Sequence, residues 1–349
     1  MQRILSLDLA RGFTVLFIPI VHSVMIYGSP EVHTSTLGDI LGFIAEWPGA
    51  QVFMLAMGIS FELSTPKSFG RILGRSMTLV TVGYFMNFLK FVVPYFMGGL
   101  PGKLLYDLHS DGWVSLLLIG DILQFAGISL LILWCVQKAP DRILVALLLA
   151  MFVCFASPFP FSANSHVVDL ATGGPPKVFF PLFPWLVYPL AGVVIGNSIK
   201  AYGSKIFVFL LAIGAGLMLA AFCAEIATEA SSFASAQDDP STSSGQTSFY
   251  VTGPWDTLMH LGFVLVWLAG FHFLSKLRWN AVFKTLQWMS KNITLIYFIQ
   301  WPLIFWMMPV IGYQRLNTIC SVVIGIDVAL VTWLIVLIVR YVIASRRSQ

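Results

Sequence analysis

LARGFTVLFIPIVHSVMIYG (residues 9–28) is an apolar run of 20 residues that holds two basic side chains, Arg11 and His22, and no acidic one. Coiled as a helix at ~1.5 Å per residue, such a run is about as long as the hydrocarbon core of a bilayer is thick. Similar runs recur near 38–62, 76–97, 113–136, 143–157, 179–198, 206–224, 256–275, 290–310 and 318–340. Runs near 20 residues fit helices, whereas barrel strands are about half as long. The expected fold is therefore all-α, a polytopic transmembrane helix bundle of about ten spans.

The rest of the composition agrees with that reading. Of 349 residues, 58% are hydrophobic and 10% are charged, against roughly 25% charged in an ordinary soluble domain. Mean hydropathy is +0.84. Too few polar side chains are present to cover a water-facing surface, which excludes a soluble globular enzyme, a disordered chain and a nucleic-acid module. The residues 1–349 read as a single transmembrane domain. A low-complexity stretch, Ser231–Thr247, predicts a flexible outer loop near 228–252. The first run carries Asp8 and Arg11 at its start and no small-x-small cleavage site, so it reads as a retained first span. Cys135, Cys154, Cys223 and Cys320 all sit inside apolar runs, which predicts small buried hydrophobes rather than disulfides or metal ligands.

Basic residues set the orientation. With the amino terminus inside, 16 of the 20 Lys and Arg fall on the inner side, and Lys90, Lys103, Lys177 and Arg315 fall on the outer side. Both termini are then expected in the cytoplasm.

Ionisable groups within spans are costly and mark functional sites unless they reach headgroups or water. Asp8 and Arg11 are three residues apart and share a helix face, so they can pair. The pair either anchors the cytoplasmic end of the span or forms part of a site. His22 lies eleven residues beyond Arg11, roughly 16 Å along the helix and close to three full turns, hence on the same face. His33 follows the Gly28–Pro30 break and is placed in the first outer loop. A neutral imidazole is the side chain best suited to take a proton from a hydroxyl or amine near pH 7. Arg71 and Arg75, four apart, form a basic helix face that suits phosphate or, equally, lipid headgroups. Asp121 lies in the fourth expected span. No phosphate-cradling glycine loop, metal-binding His pair or nucleophile elbow is present, which disfavours serine, cysteine and zinc hydrolases.

Arg3-Ile4-Leu5-Ser6-Leu7-Asp8-Leu9-Ala10-Arg11-Gly12 resembles the opening motif of the transmembrane acyltransferase superfamily. That group includes the heparan-alpha-glucosaminide N-acetyltransferase catalytic family and the related acyltransferase-3 family. Phe53–Ser60 resembles a Phe/Met-Gly stretch of the second span, and Gly120-Asp121-Ile122-Leu123-Gln124 a Gly-Val-Leu-Gln turn. Pro181–Gly196 resembles a Pro-Trp-plus-Gly span, and Asn292–Tyr297 an Asn/Ser-Leu-x-Tyr ending. In acyltransferase-3 proteins a catalytic His stands eleven residues after the motif Arg, where this chain has His22. In the glucosaminide acetyltransferases the essential His lies eleven residues further on, where this chain has His33. Near Gln300 relatives often carry His. The stretch from His33 to Gly58 is a few residues longer than in the glucosaminide family, and no lysosomal lumenal domain is present, so heparan sulfate itself is not the expected acceptor.

The resemblance implies an integral membrane acyltransferase of the bacterial cytoplasmic membrane. Cytoplasmic acetyl-CoA or another acyl-CoA is the implied donor, and a sugar hydroxyl or amine at the outer side the implied acceptor. His22 and His33 are the catalytic candidates, either as general base or as a nucleophile that carries the acyl group transiently. Asp8, Arg11, Arg71, Arg75, Asp121 and Gln124 are the candidates for the donor site. Membrane lipid is a further expected partner, a homo-oligomer stays open, and neither a metal nor nucleic acid is expected. The rival readings are a transporter that uses Asp121 and Asp327 as buried ion sites, and a non-catalytic scaffold.

Overall fold

The computed structural model describes residues 4–65, 68–158, 165–174, 177–236, 250, 252–277 and 279–347. Along the chain the helices are α1 (Leu5–Tyr27), α2 (Pro30–His33), α3 (Thr36–Glu46), α4 (Gly49–Leu63), α5 (Phe69–Asn87), α6 (Val93–Phe96), α7 (Gly102–Asp107), α8 (Trp113–Leu117) and α9 (Ile122–Lys138). They continue as α10 (Arg142–Phe155), α11 (His166–Thr172), α12 (Leu182–Trp185), α13 (Val187–Tyr202), α14 (Ile206–Ala236), α15 (Pro254–Leu274), α16 (Asn280–Ile311) and α17 (Thr318–Arg347). A π-turn, Phe88–Val92, joins α5 to α6. Among the described residues no β-strand forms beyond two isolated bridges. Seven helical stretches are long and apolar enough to cross a membrane, and α9 and α10 are shorter apolar helices. The protein is an all-α, polytopic membrane protein.

The helices depart from the expected runs where local chemistry demands it. The second run breaks at Trp47–Pro48. Pro48 lacks the ladder N–H, so the helical hydrogen-bond ladder is interrupted there although Trp47 keeps right-handed helical dihedrals. The fourth run breaks before Asp121, whose extended backbone and carboxylate make it the N-cap of α9, accepting from the Ile122 N–H at 2.7 Å. α14 runs on to Ala236, so the first residues of the expected outer loop are helical. Residues 237–249 of that loop lie outside the described residues, as do Arg3, Lys67 and Arg278 of the basic count.

The chain divides into two compact units. The first holds Ala50–Thr81 and Gly120–Phe273. Its core gathers Met54 and Phe61 of α4, Phe125 and Leu133 of α9, Val153 of α10, and Trp185, Tyr188 and Leu190 around the start of α13. Here α4 and α13 meet through Gly58 and Gly192: a Cβ on either would overlap a carbonyl of the facing helix. Small residues let membrane helices approach this closely.

The second unit holds Ile4–Gly49, Val82–Ile119 and Leu274–Gln349. In it α1 packs along α16 and α17. Gly12 lies directly on the Leu286 backbone carbonyl, and Gly325 of α17 lies on Ile20. At the other end the Tyr27 hydroxyl donates to the Ile304 carbonyl. The backbone N–H groups of Gln314 and Leu316 donate to the carbonyls of Ile26 and Tyr27. These bonds satisfy carbonyls in the last turn of α1 and tie it to the loop that follows α16.

Of the four cysteines, Cys154 is buried, whereas Cys135, Cys223 and Cys320 are exposed, and all are free thiols. The expectation of burial fails for Cys223 and Cys320 because the exposed faces of α14 and α17 are themselves apolar, with Leu219 and Phe222 beside Cys223 and Ile319 and Val323 beside Cys320; Cys135 faces outward one turn before the exposed Lys138 of α9. A membrane helix can show a small apolar side chain to lipid at no cost.

Candidate active site

α1 carries two polar groups at opposite ends. At one end Asp8 is 3% exposed, and its Oδ1 accepts from Arg11 Nη2 at 2.8 Å and from Ser290 Oγ at 3.1 Å. The expected i,i+3 pair forms, and Ser290 brings α16 into it. Two residues along α16, Asn292 Oδ1 accepts from Arg340 Nε at 2.6 Å. The start of α1, the first half of α16 and the last third of α17 are thereby linked through polar side chains. Arg11 Nε is buried without a hydrogen-bond partner.

At the other end stands His22, partly exposed. Its Nδ1 lies 3.2 Å from Gln300 Nε2, and its ring stacks on the Trp301 indole with centroids 4.2 Å apart and planes 24° apart. Gln300 is fully buried, and its Oε1 has no hydrogen-bond partner. The Lys90 ammonium lies 4.3 Å from the Trp301 ring centre and 4.5 Å from that of Phe91. Lys90 is 2% exposed and sits in the middle of the π-turn. A π-turn adds a residue to the helical turn and re-aims the side chains it carries, which is why such turns recur at functional sites. Aromatic faces offset part of the cost of burying the cation.

His33 closes the short helix α2. Its Nε2 lies 3.3 Å from the Val24 carbonyl oxygen. A carbonyl only accepts, so this contact requires a proton on Nε2. Val24 is two residues past His22, so the structure brings His33 to the same end of α1 as His22.

The remaining candidates belong to the other unit. Arg71 and Arg75 are exposed on α5, with buried Ile72 between them. The Asp121 carboxylate caps α9, and Gln124 is buried in the first turn of that helix. Asp327, expected as a buried ion site in the transporter reading, is exposed on α17. That reading loses one of its two carboxylates, because the 3.6-residue period turns Asp327 away from the face that packs on α1.

Three groups escaped the sequence reading. Lys90 stands out in the sequence as an ionisable group within an expected span, but it carries no assigned role there and counts only among the outer basic residues. Gln300 was noted only as a departure from relatives. Glu62 stands in an apolar run and is 1% exposed. Its Oε1 accepts from Lys200 Nζ at 2.7 Å and pairs with Arg142 Nη2 at 3.1 Å. The signal for Glu62 was its single charge between Phe61 and Leu63. The partners lie 80 and 138 residues away and had no local trace.

Chemically, the α1–α16 pair offers an imidazole held in orientation by an amide and an indole, with a buried cation on the same indole. Such a group can accept a proton from a hydroxyl or amine. No curated protein and no solved structure gives a significant match. The family model described as "Heparan-alpha-glucosaminide N-acetyltransferase, catalytic" matches residues 3–218, which include α1, both histidines and the π-turn. The chain belongs to the heparan-alpha-glucosaminide N-acetyltransferase catalytic family.

Proposed function

We propose that this membrane acetyltransferase moves an acetyl group from acetyl-CoA to a hydroxyl or amine on a sugar, with His22 as general base. The observation that carries the reading is the placement of His22 between Gln300 and Trp301, eleven residues from the Arg11 of the opening motif. In the step, the acceptor O–H or N–H gives its proton to the imidazole as its lone pair attacks the thioester carbonyl carbon. The carbon–sulfur bond then breaks, and the departing CoA sulfur takes the proton back. His33 is the second candidate. Its bond to the Val24 carbonyl uses Nε2–H, so its base function would have to run through Nδ1.

Donor binding is assigned to groups suited to its chemistry. Arg11 has its guanidinium oriented by Asp8 and an unpaired Nε to offer a carbonyl or phosphate oxygen. Arg71 and Arg75 keep the role of phosphate partners that two exposed guanidinium groups one helical turn apart suit. Asp121 and Gln124 are assigned to the lining of the donor site. Donor entry from the cytoplasm and acceptor entry from the outer side belong to the same proposal.

The test is acetyl transfer from labelled acetyl-CoA to glucosamine and glucose by the purified protein, with His22→Ala and His33→Ala in parallel. His22→Ala is expected to lose transfer by about 10²-fold or more. Full activity in both variants would remove histidine base catalysis. Acetyl-CoA affinity in Arg11→Ala, Arg71→Ala and Arg75→Ala tests the donor assignments one by one. Unchanged affinity in a folded variant removes that residue from the site.

A further inference from the structure

We infer that Arg142 and Lys200, held by the buried Glu62 carboxylate, form a binding site for the phosphate group of an ester that carries a hydroxyl close by. The inference concerns the first unit and does not rest on the reading of His22 as general base.

The site is built where three helix ends meet. The stem of Glu62, in the last turn of α4, lies on Gly196 of α13, where a Cβ would come within 2.9 Å of Glu62 Cβ. From there Glu62 Oε1 accepts from Lys200 Nζ at 2.7 Å and pairs with Arg142 Nη2 at 3.1 Å. Lys200 comes from the end of α13 and Arg142 from the start of α10. Each cation has a second restraint. Lys200 Nζ also donates to the Glu62 backbone carbonyl at 2.5 Å, and Arg142 Nη2 to Asn197 Oδ1 at 3.3 Å. Two long side chains are thereby ordered in advance, which removes much of the entropic cost of gripping a ligand.

Charge and geometry suit phosphate. One carboxylate against two cations leaves an excess of one positive charge. The Glu62 side chain is 1% exposed, whereas those of Arg142 and Lys200 are 37% and 43% exposed, so the excess faces solvent. Because Nη2 and Nζ both lie within 3.1 Å of one oxygen, they are no more than about 6 Å apart. Two oxygens of one phosphate, each about 2.8 Å from its donor, span such a gap. Among the described residues the bonds of Arg142 run through Nη2, which leaves Nε–H and Nη1 for a ligand. Lys200 uses two of its three N–H groups. Exposed Lys138 and Lys205 lie close in sequence, with Asp141 as the one acid in residues 138–142 and 200–205.

Glu62 Oε2 indicates the rest of the ligand. It is buried and has no hydrogen-bond partner among the described residues. An unsatisfied buried carboxylate oxygen is costly unless a donor reaches it. A fully ionised phosphate brings only acceptors, whereas a neighbouring hydroxyl supplies that donor. Basic residues that merely set orientation need no buried carboxylate among them. Two sources have the required chemistry: the ribose 3′-phosphate of CoA with its 2′-hydroxyl, and the glycerol phosphate headgroup of phosphatidylglycerol.

The test uses the full-length protein in phosphatidylcholine nanodiscs. Calorimetric titration compares CoA with 3′-dephospho-CoA, and thermal unfolding compares nanodiscs with and without phosphatidylglycerol. If CoA is the source, the wild type prefers CoA about tenfold or more, and Arg142→Gln and Lys200→Met lose that preference. If the lipid is the source, phosphatidylglycerol raises the melting midpoint of the wild type, and the same variants lose the rise. Each variant keeps one cation on Glu62, so the fold is expected to hold. Neither effect in the wild type, or effects unchanged in both variants, overturns the inference. Glu62→Gln separates a built site from a diffuse basic patch. It makes this end of the unit more positive, so a diffuse patch would bind equally or more tightly. The built site is expected to bind about tenfold more weakly, because its cations lose their anchor. Equal or tighter binding overturns the inference. Neither readout needs acetyl transfer, so a failure of the proposed reaction leaves this site standing, and the reverse holds as well.

Discussion

The imidazole of His22 lies against the indole of Trp301, with 4.2 Å between ring centroids. His22 comes from α1 and Trp301 from α16, so the orientation of the candidate base depends on how these two helices pack. Trp301→Phe keeps an aromatic face and is expected to retain most acetyl transfer. Trp301→Leu removes the face and is expected to lower kcat about fivefold, the equivalent of ~1 kcal/mol of lost aromatic contact. Equal rates for the two variants would show that the stack has no part in positioning the ring.

The packing itself depends on Gly12. A side chain there has no room, because a Cβ would overlap the Leu286 carbonyl. Gly12→Val is expected to push α1 from α16 and to cost about 1–3 kcal/mol, as overpacking does. Thermal unfolding in detergent measures it. Acetyl transfer should fall further than stability, since Ser290 and Gln300 both reach α1 from α16. A variant that melts with the wild type would show that the two helices can part freely.

Glu62, Arg142 and Lys200 form an ion triad in the other unit. The two cations are more than a third exposed, whereas the carboxylate is 1% exposed. Lys200→Met alone is expected to cost about 1 kcal/mol or less, since Arg142 remains and solvent screens the pair. Arg142→Met with Lys200→Met leaves a buried carboxylate uncompensated, and about 3–5 kcal/mol is expected. Additive small losses would mean that water compensates Glu62.

α11 supplies a pH dependence. Burial holds His166 below its ordinary value of 6.5, only partly opposed by the Asp169 carboxylate. Burial also holds Asp169 above the usual carboxylate range, with His166 opposing. A histidine depressed in the fold binds its proton more readily when unfolded. Its contribution is therefore lost as pH falls through the unfolded value of about 6.5 toward the folded one. Asp169 acts in the opposite sense at lower pH, where its raised affinity for a proton favours the fold. Hydrogen exchange in residues 166–172 is expected to quicken between about pH 7 and 5.5. His166→Phe should remove that dependence. Exchange independent of pH after correction for intrinsic rates would reject it.

Much of this was legible beforehand. Apolar runs located every long helix, because lipid demands about 20 residues of low polarity whatever the helix packs against. The Asp8–Arg11 pair was legible because i,i+3 spacing places both on one face. Pro48 followed by Gly49 and Ala50 marks a kink in the second run, whereas the Asp121 cap is not placed, since hydropathy averages over the very residues that interrupt a helix. The exposure of Asp327 and of three cysteines was invisible for a related reason. A run that is apolar all round does not announce which face meets protein and which meets lipid.

The sequence by itself determined the class: the composition, the period of the apolar runs and the motif around Asp8 and Arg11 are local properties that need no partner. Tertiary structure decided the surroundings of His22. Gln300 and Trp301 stand 278 and 279 residues from it, and Lys90 stands 68 away. Their approach follows from the glycine contact between α1 and α16 and from a π-turn, neither of which leaves a periodic trace. An imidazole is oriented only by the groups around it, and these meet only when the helices pack.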